Sequence, residues 1–160
     1  MKAWEGLKHI PLKIRGSGKL LPDVQSAAQR NSKIEVIDRL PKTDIIRLLK
    51  GARFLVWPSQ GYYETFGFVA AEAFACGVPV IASNVGVMQE MVRDQATGLS
   101  FEPNSADDLA IKVVWAWEHR NEMAAMSNNA RQEFEEKYSA EINYAKITSV
   151  YQSAIRQYKQ

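Results

Sequence analysis

Five short, β-favouring apolar runs alternate with helical stretches along this chain, and the links between them are short. The runs are 12–15, 34–37, 54–57, 78–82 and 98–101, and helical spacing of apolar residues covers 20–30, 42–51, 67–76, 86–93 and 105–118. Strands joined through helices run parallel, because a helical crossover returns the chain to the same end of the sheet. A parallel sheet of apolar strands needs cover on both faces. The expected fold class is therefore α/β: a Rossmann-like parallel sheet with helices on both faces, followed by a helical tail. In such sheets ligands sit at the carboxyl ends of the strands, where loops lead into helix starts. The loop 58–67, between the third run and the third helix, is such a loop.

Local signals set the boundaries. Thr43 and Ser105 are placed as N-caps, each with aspartate in the turn that follows. Gly51 and Gly77 are placed as left-handed stops after the second and third helices. In the tail, Met123, Met126, Ala130, Phe134 and Tyr138, then Ile142, Ile147, Tyr151 and Ile155, recur at helical spacing. They predict two amphipathic helices packed on the domain. Trp115 and Trp117, two apart on one helix, are expected on different faces, at least one of them exposed or covered by a partner domain.

A length of 160 residues suits one domain with a single core. The net charge of +2 is too small to argue for nucleic acid, and no basic run alternates with aromatics. The single cysteine, Cys76, excludes an internal disulfide and reads as a small buried hydrophobe. His9 and His119 stand alone, so no metal site is expected. No apolar run approaches the roughly 20 residues of a membrane span, and the first residues carry no secretory signal. The expected location is cytoplasmic, with peripheral membrane contact left open.

The segment from Glu64 to Glu72 is where chemistry is expected. A helix start offers unpaired backbone N–H groups and a partial positive charge, which together suit an anion. With Thr65 as N-cap, the N–H groups of Phe66, Gly67 and Phe68 are expected to be free, and Gly67 to let a ligand approach the backbone closely. Glu72 lies five residues further on, roughly 7–8 Å along the axis at about 1.5 Å per residue. Two carboxylates beside an anion site repel a bare phosphate. They suit a ligand with phosphates in its middle and hydroxyls at both ends, since each carboxylate accepts two hydroxyl donors. That describes a sugar nucleotide. The competing reading makes Glu64 a solvated loop residue and Glu72 an ordinary surface charge. Against it, Glu72 stands among Val69, Ala70, Ala71, Ala73, Phe74 and Ala75, which predicts a helix buried on most sides.

The run Trp57-Pro58-Ser59, then Tyr63-Glu64-Thr65-Phe66-Gly67, then Glu72 through Ser83, resembles the signature of the large retaining glycosyltransferase family 4, often called group 1. Val85 to Val92 and Thr97-Gly98-Leu99 extend the likeness, which covers about residues 10–115. The mark of that family is two glutamates separated by seven residues, as Glu64 and Glu72 are here. The resemblance implies a GT-B fold, two Rossmann-like domains around a cleft, with this chain similar to the C-terminal, donor-binding half.

It also implies roles. Glu64, the candidate catalytic residue, would bind hydroxyls of the transferred sugar. Thr65 and the backbone amides of Phe66, Gly67, Phe68 and Val69 would meet sugar and diphosphate oxygens, and Glu72 the ribose diol. Arg39 and Leu40, after Asp38, match the base-contacting loop, and Gly16, with Ser17 and Gly18, a glycine turn. The donor would be a UDP-, GDP- or ADP-sugar, with no metal or other cofactor, and the reaction hexosyl transfer to a hydroxyl with retention. The family's diphosphate-clamping Arg and Lys have no counterpart here. Residues 2–7 resemble the helix after that motif, and Arg15, Lys19 or Arg39 are the nearest basic substitutes. The expectation is thus one donor-binding domain over residues 1–160, with its first strand, the clamp and the N-terminal acceptor domain outside it, and inactive alone. The alternatives are a non-catalytic nucleotide-sugar-binding half that needs a partner, and a GT-B phosphorylase or epimerase.

Overall fold

A computed structural model of the chain describes residues 1–59 and 64–158. After a 3-10 turn at Lys2–Trp4 come β1 (Leu12–Arg15), α1 (Leu21–Arg30), β2 (Ile34–Ile37), α2 (Lys42–Lys50) and β3 (Leu55–Trp57). Then follow α3 (Phe68–Ala75), β4 (Val80–Ser83), α4 (Val87–Met91), β5 (Gly98–Phe101), α5 (Ala106–Glu118), α6 (Arg120–Lys137) and α7 (Ala140–Tyr158). Every strand pair is parallel, as alternation with helices demands. The strands form two sheets rather than the single one expected: β1 pairs with β2, and β3-β4-β5 form the other.

One core lies on each face. Along β4, Ile81 packs with Trp4, Ala27, Leu99, Val113 and Met123. Its neighbours Val80 and Ala82 point the opposite way, among Leu49, Ala70, Phe74, Met88 and Met91. Strand alternation produces this split, and it leaves all four residues of β4 buried. The first core thus joins the 3-10 turn, α1 and α5, and the second joins α2, α3 and α4.

Two of the four local stops and caps differ from expectation. Ser105 caps α5, its hydroxyl accepting from the Asp108 N–H at 3.1 Å. Thr43 lies inside α2, which starts at Lys42 after Pro41; the fixed φ of proline sets that start without a side-chain cap. Gly77 has φ +67, and its N–H and that of Val78 return to the Phe74 and Ala73 carbonyls at 2.9 and 2.8 Å. Gly51 ends α2 at φ −88, an ordinary right-handed residue.

The tail divides. α6 buries Met123, Met126 and Ala130 and lies along α3. α7 buries nothing, and Tyr144, Ile147, Val150, Tyr151 and Ile155 are exposed on it. The second packed helix expected from the periodicity therefore touches α6 but leaves most of its apolar face open, with Ile142 half-buried. Periodicity marks a face that gains from cover, and does not name the cover.

Candidate functional site at the start of α3

β3 delivers the chain to Trp57, and the loop expected at 58–67 leads into α3. Residues 60–63, Tyr63 among them, lie outside the described residues. The N-cap of α3 is Gly67, at φ +82, and Thr65 is an exposed bend rather than the cap. Glycine is required twice over: the left-handed φ, and the place of its absent Cβ, which the Trp57 ring would hit and where Met91 Sδ would stand at 3.0 Å. Its smallness thus serves packing against Trp57 rather than access for a ligand.

The expected free amides are only partly free. The Glu64 carboxylate turns back over the helix start, its Oε1 accepting from the N–H groups of Gly67 at 3.1 Å and Phe66 at 3.5 Å. Ala70 and Ala71 donate to the Gly67 carbonyl at 2.9 and 3.1 Å. Among the described residues, the N–H groups of Phe68 and Val69 have no acceptor. The Glu64 carboxylate thus sits at the start of the helix, where negative charge is favoured.

Glu72 is exposed, not buried. The side of α3 that packs is formed by Ala70, Ala71, Ala73 and Phe74, and the open side by Phe68, Val69 and Glu72. Residues three and four apart share a helix face, so Phe68 and Val69 flank Glu72 on one solvent-facing stripe that starts at the unpaired amides. The alanines were the available signal: small residues let α3 sit close against α6, and the face without them is the open one.

An aromatic group borders the stripe. Phe66 packs against Phe68 with the rings tilted, centroids 4.8 Å apart, and meets Tyr138 edge-on at 6.1 Å. Phe68 is 71% exposed. Burial, then the Glu133 carboxylate, pushes the Tyr138 phenol above its usual range. Sequence reasoning placed Tyr138 in the core and missed its reach to this loop.

Other candidates lie at the carboxyl ends of β1 and β2. Arg15 ends β1 and is followed by Gly16, both exposed; Arg39 is exposed and Leu40 half-buried, just past β2. Lys19 is exposed as well. Ser83, at the carboxyl end of β4, is 1% exposed, and its hydroxyl has no partner among the described residues. Glu90 is exposed, and Cys76 is half-buried rather than buried. Trp115 stacks on His119 at 4.3 Å and Trp117 lies under Arg53 at 3.9 Å; both indoles are half-buried, so neither is the exposed one expected. A depression of about 370 Å³ lined by Asn84, Gln89, Arg93, Asp94, Ser100 and Asp108 holds neither Glu64 nor Glu72. No helix among the described residues is long and apolar enough to cross a membrane.

The family described as Glycosyl transferases group 1 matches residues 6–133. An uncharacterized glycosyltransferase of Methanocaldococcus jannaschii is 33% identical over 142 residues, which are 88% of this chain and 40% of that protein. The O-antigen chain mannosyltransferase B of Escherichia coli is 38% identical over 85 residues, 53% of this chain and 21% of its own length. Among solved structures, the Anabaena protein Alr3699/HepE in complex with UDP-glucose superimposes with a TM-score of 0.81 at 20% identity, over 95% of this chain and 44% of its own. Sucrose-phosphate synthase of Thermosynechococcus elongatus gives 0.83 at 25% identity, over 98% of this chain and 42% of its own. The chain therefore spans less than half the length of these relatives, and its fold is that of one Rossmann-like half of a GT-B glycosyltransferase. With the family matched over most of its length and the paired glutamates in place, the chain belongs to the group 1 glycosyltransferases.

Proposed function

We propose that this domain holds a nucleoside diphosphate sugar for hexosyl transfer, with retention, to a hydroxyl acceptor. One observation carries the reading: two first-turn amides of α3, without a partner among the described residues, lie between Glu64 on one side and Glu72 on the same open stripe on the other. The diphosphate takes the Phe68 and Val69 N–H groups. Its negative charge grows as the sugar departs, so donors already aimed at it favour the transition state over the ground state. Glu64 exchanges its two backbone partners for hydroxyls of the sugar, and Glu72 accepts from the ribose diol. Gly16, Arg39 and Leu40 border the base. The UDP-glucose held by the Anabaena structure supports the ligand class. The donor is a UDP-, GDP- or ADP-sugar, and the reading uses no metal.

Thermal melts with uridine, guanosine and adenosine diphosphate sugars test it, because a ligand of the native state raises apparent stability. The parent should shift with one donor class. Glu72→Ala should lose the shift for nucleotide and nucleotide sugar alike, and Glu64→Ala only the increment due to the sugar. Variants that respond like the parent overturn the assigned roles.

A second reading is a binding half that turns over only with a partner domain. The short span relative to its relatives favours it, and binding without turnover in the presence of acceptors would mark it.

A further inference from the structure

Phe68 conflicts with its own position. It is the first residue of α3 and 71% exposed, whereas the same helix buries Phe74 completely. A phenyl ring left in water forgoes the free energy that its burial would contribute. Phenylalanine is also a poorer helix former than the alanines that follow it. Conflicts of this kind between a residue and its place gather at functional sites.

The ring is nevertheless backed by packed protein. Its centroid lies 4.8 Å from that of Phe66, and Phe66 meets the Tyr138 ring edge-on at 6.1 Å. Tyr138 ends α6 and is half-buried, so the three rings run from the body of the domain out to the open start of α3. The N–H of Phe66 also donates to the Glu64 carboxylate at 3.5 Å. An aromatic pair and a hydrogen-bond acceptor therefore share one helix start. Beside them is the Phe68 N–H, without a partner among the described residues.

Those two chemistries together match a pyranose, which carries hydroxyls on its rim and C–H groups on its faces. A carboxylate accepts from the rim, and the negative face of an aromatic ring attracts the C–H groups. We propose that the Phe68 ring, backed by Phe66, stacks on a C–H face of the donor's hexose and with Glu64 sets which sugar is held. The inference rests on the donor reading above. In that reading the ribose lies toward Glu72, one turn further along α3, and the base beyond it. Phe66 precedes the unpaired amides, so the group that reaches the aromatic pair is the hexose. The diphosphate meets the Phe68 backbone N–H, which every substitution except proline keeps, so the ring acts on the sugar alone.

Titration calorimetry tests this with uridine, guanosine and adenosine diphosphates and their glucose and mannose conjugates. The quantity read is the factor by which the sugar tightens binding, for the conjugate that gains most in the parent. Phe68→Leu keeps an apolar side chain without a π face and should lower that factor about three- to tenfold. Phe68→Tyr should keep it near the parent's value. Both variants should bind the bare diphosphate within about twofold of the parent, and their urea midpoints should move by less than about 0.3 M. An undiminished factor in Phe68→Leu, or one lowered as much in Phe68→Tyr, overturns the stacking and leaves the donor reading in place. A parent that binds the diphosphates but gains nothing from either sugar overturns the stacking together with the role of Glu64. A parent that binds no diphosphate overturns the donor reading itself, and the stacking with it.

Discussion

The two ends of α3 are finished differently. At its end, the Gly77 and Val78 N–H groups close onto Phe74 and Ala73, the Ser127 hydroxyl donates to the Gly77 carbonyl, and the Arg131 guanidinium donates to the Ala75 carbonyl. α6 supplies both side chains, and α6 is itself held by Glu133, a buried carboxylate joined to Arg93 at 2.8 Å and Lys137 at 2.5 Å. At its start, one loop carboxylate caps two amides from outside the helix, two more amides have no partner among the described residues, and Phe68 stands in solvent. Buried helix ends are normally satisfied by the protein, whereas an exposed end can leave the task to a ligand. The contrast marks the start of α3 as its open end without reference to any motif.

Substitution at the two glycines sharpens the contrast most. Gly67→Ala combines a left-handed φ with a collision against Trp57, so a loss of about 3 kcal/mol is expected in urea unfolding. A variant as stable as the parent would mean that Trp57 does not fill that space. Glu133→Ala removes the one carboxylate shared by Arg93 and Lys137. Both cations are about half exposed, so the loss should be about 2 kcal/mol rather than the larger values of a fully buried pair. Gly77→Ala should cost only about 1 kcal/mol, from backbone strain alone, because its Cβ would meet Ser127 at an ordinary 3.6 Å.

Titration probes the same seam with a smaller effect. The hydrogen bond to Glu133, then its charge, holds the Lys137 ammonium above its ordinary pKa of 10.5. Burial, then Glu133, raises the Tyr138 phenol above 10.0. Both groups keep their protons better folded than unfolded. The stability they contribute is therefore complete below about pH 10 and is lost as pH climbs through the raised folded values. Urea midpoints followed from pH 8 to 11 should fall in the parent and fall less in Glu133→Ala, which lacks the charge that raises both.

Much of this was legible in the residues. The alternation of strand and helix runs gave all five strands to within two residues, and Ser105 and Gly77 announced themselves because capping and left-handed turns select few residue types. Thr43 and Thr65 failed for a shared reason: a neighbouring Pro41 or Gly67 sets the helix start more firmly through its backbone than a hydroxyl does. The exposure of Glu72 was hidden because an alanine-rich helix is apolar all round, and only its contact with α6 decides which side is buried. The break between the two sheets and the open face of α7 depend on what lies alongside, which no local pattern encodes.

Glu72→Ala gives the smallest effect on stability and tests the comparison most directly. Its side chain has no hydrogen bond or ion pair among the described residues, and alanine is the better helix former. The unfolding free energy should stay within about 0.5 kcal/mol of the parent. Any lost response to a nucleotide in this variant then belongs to binding. A destabilisation above about 1 kcal/mol would give Glu72 a structural partner, and the open stripe of α3 would be part of the protein's own packing rather than a surface kept for a ligand.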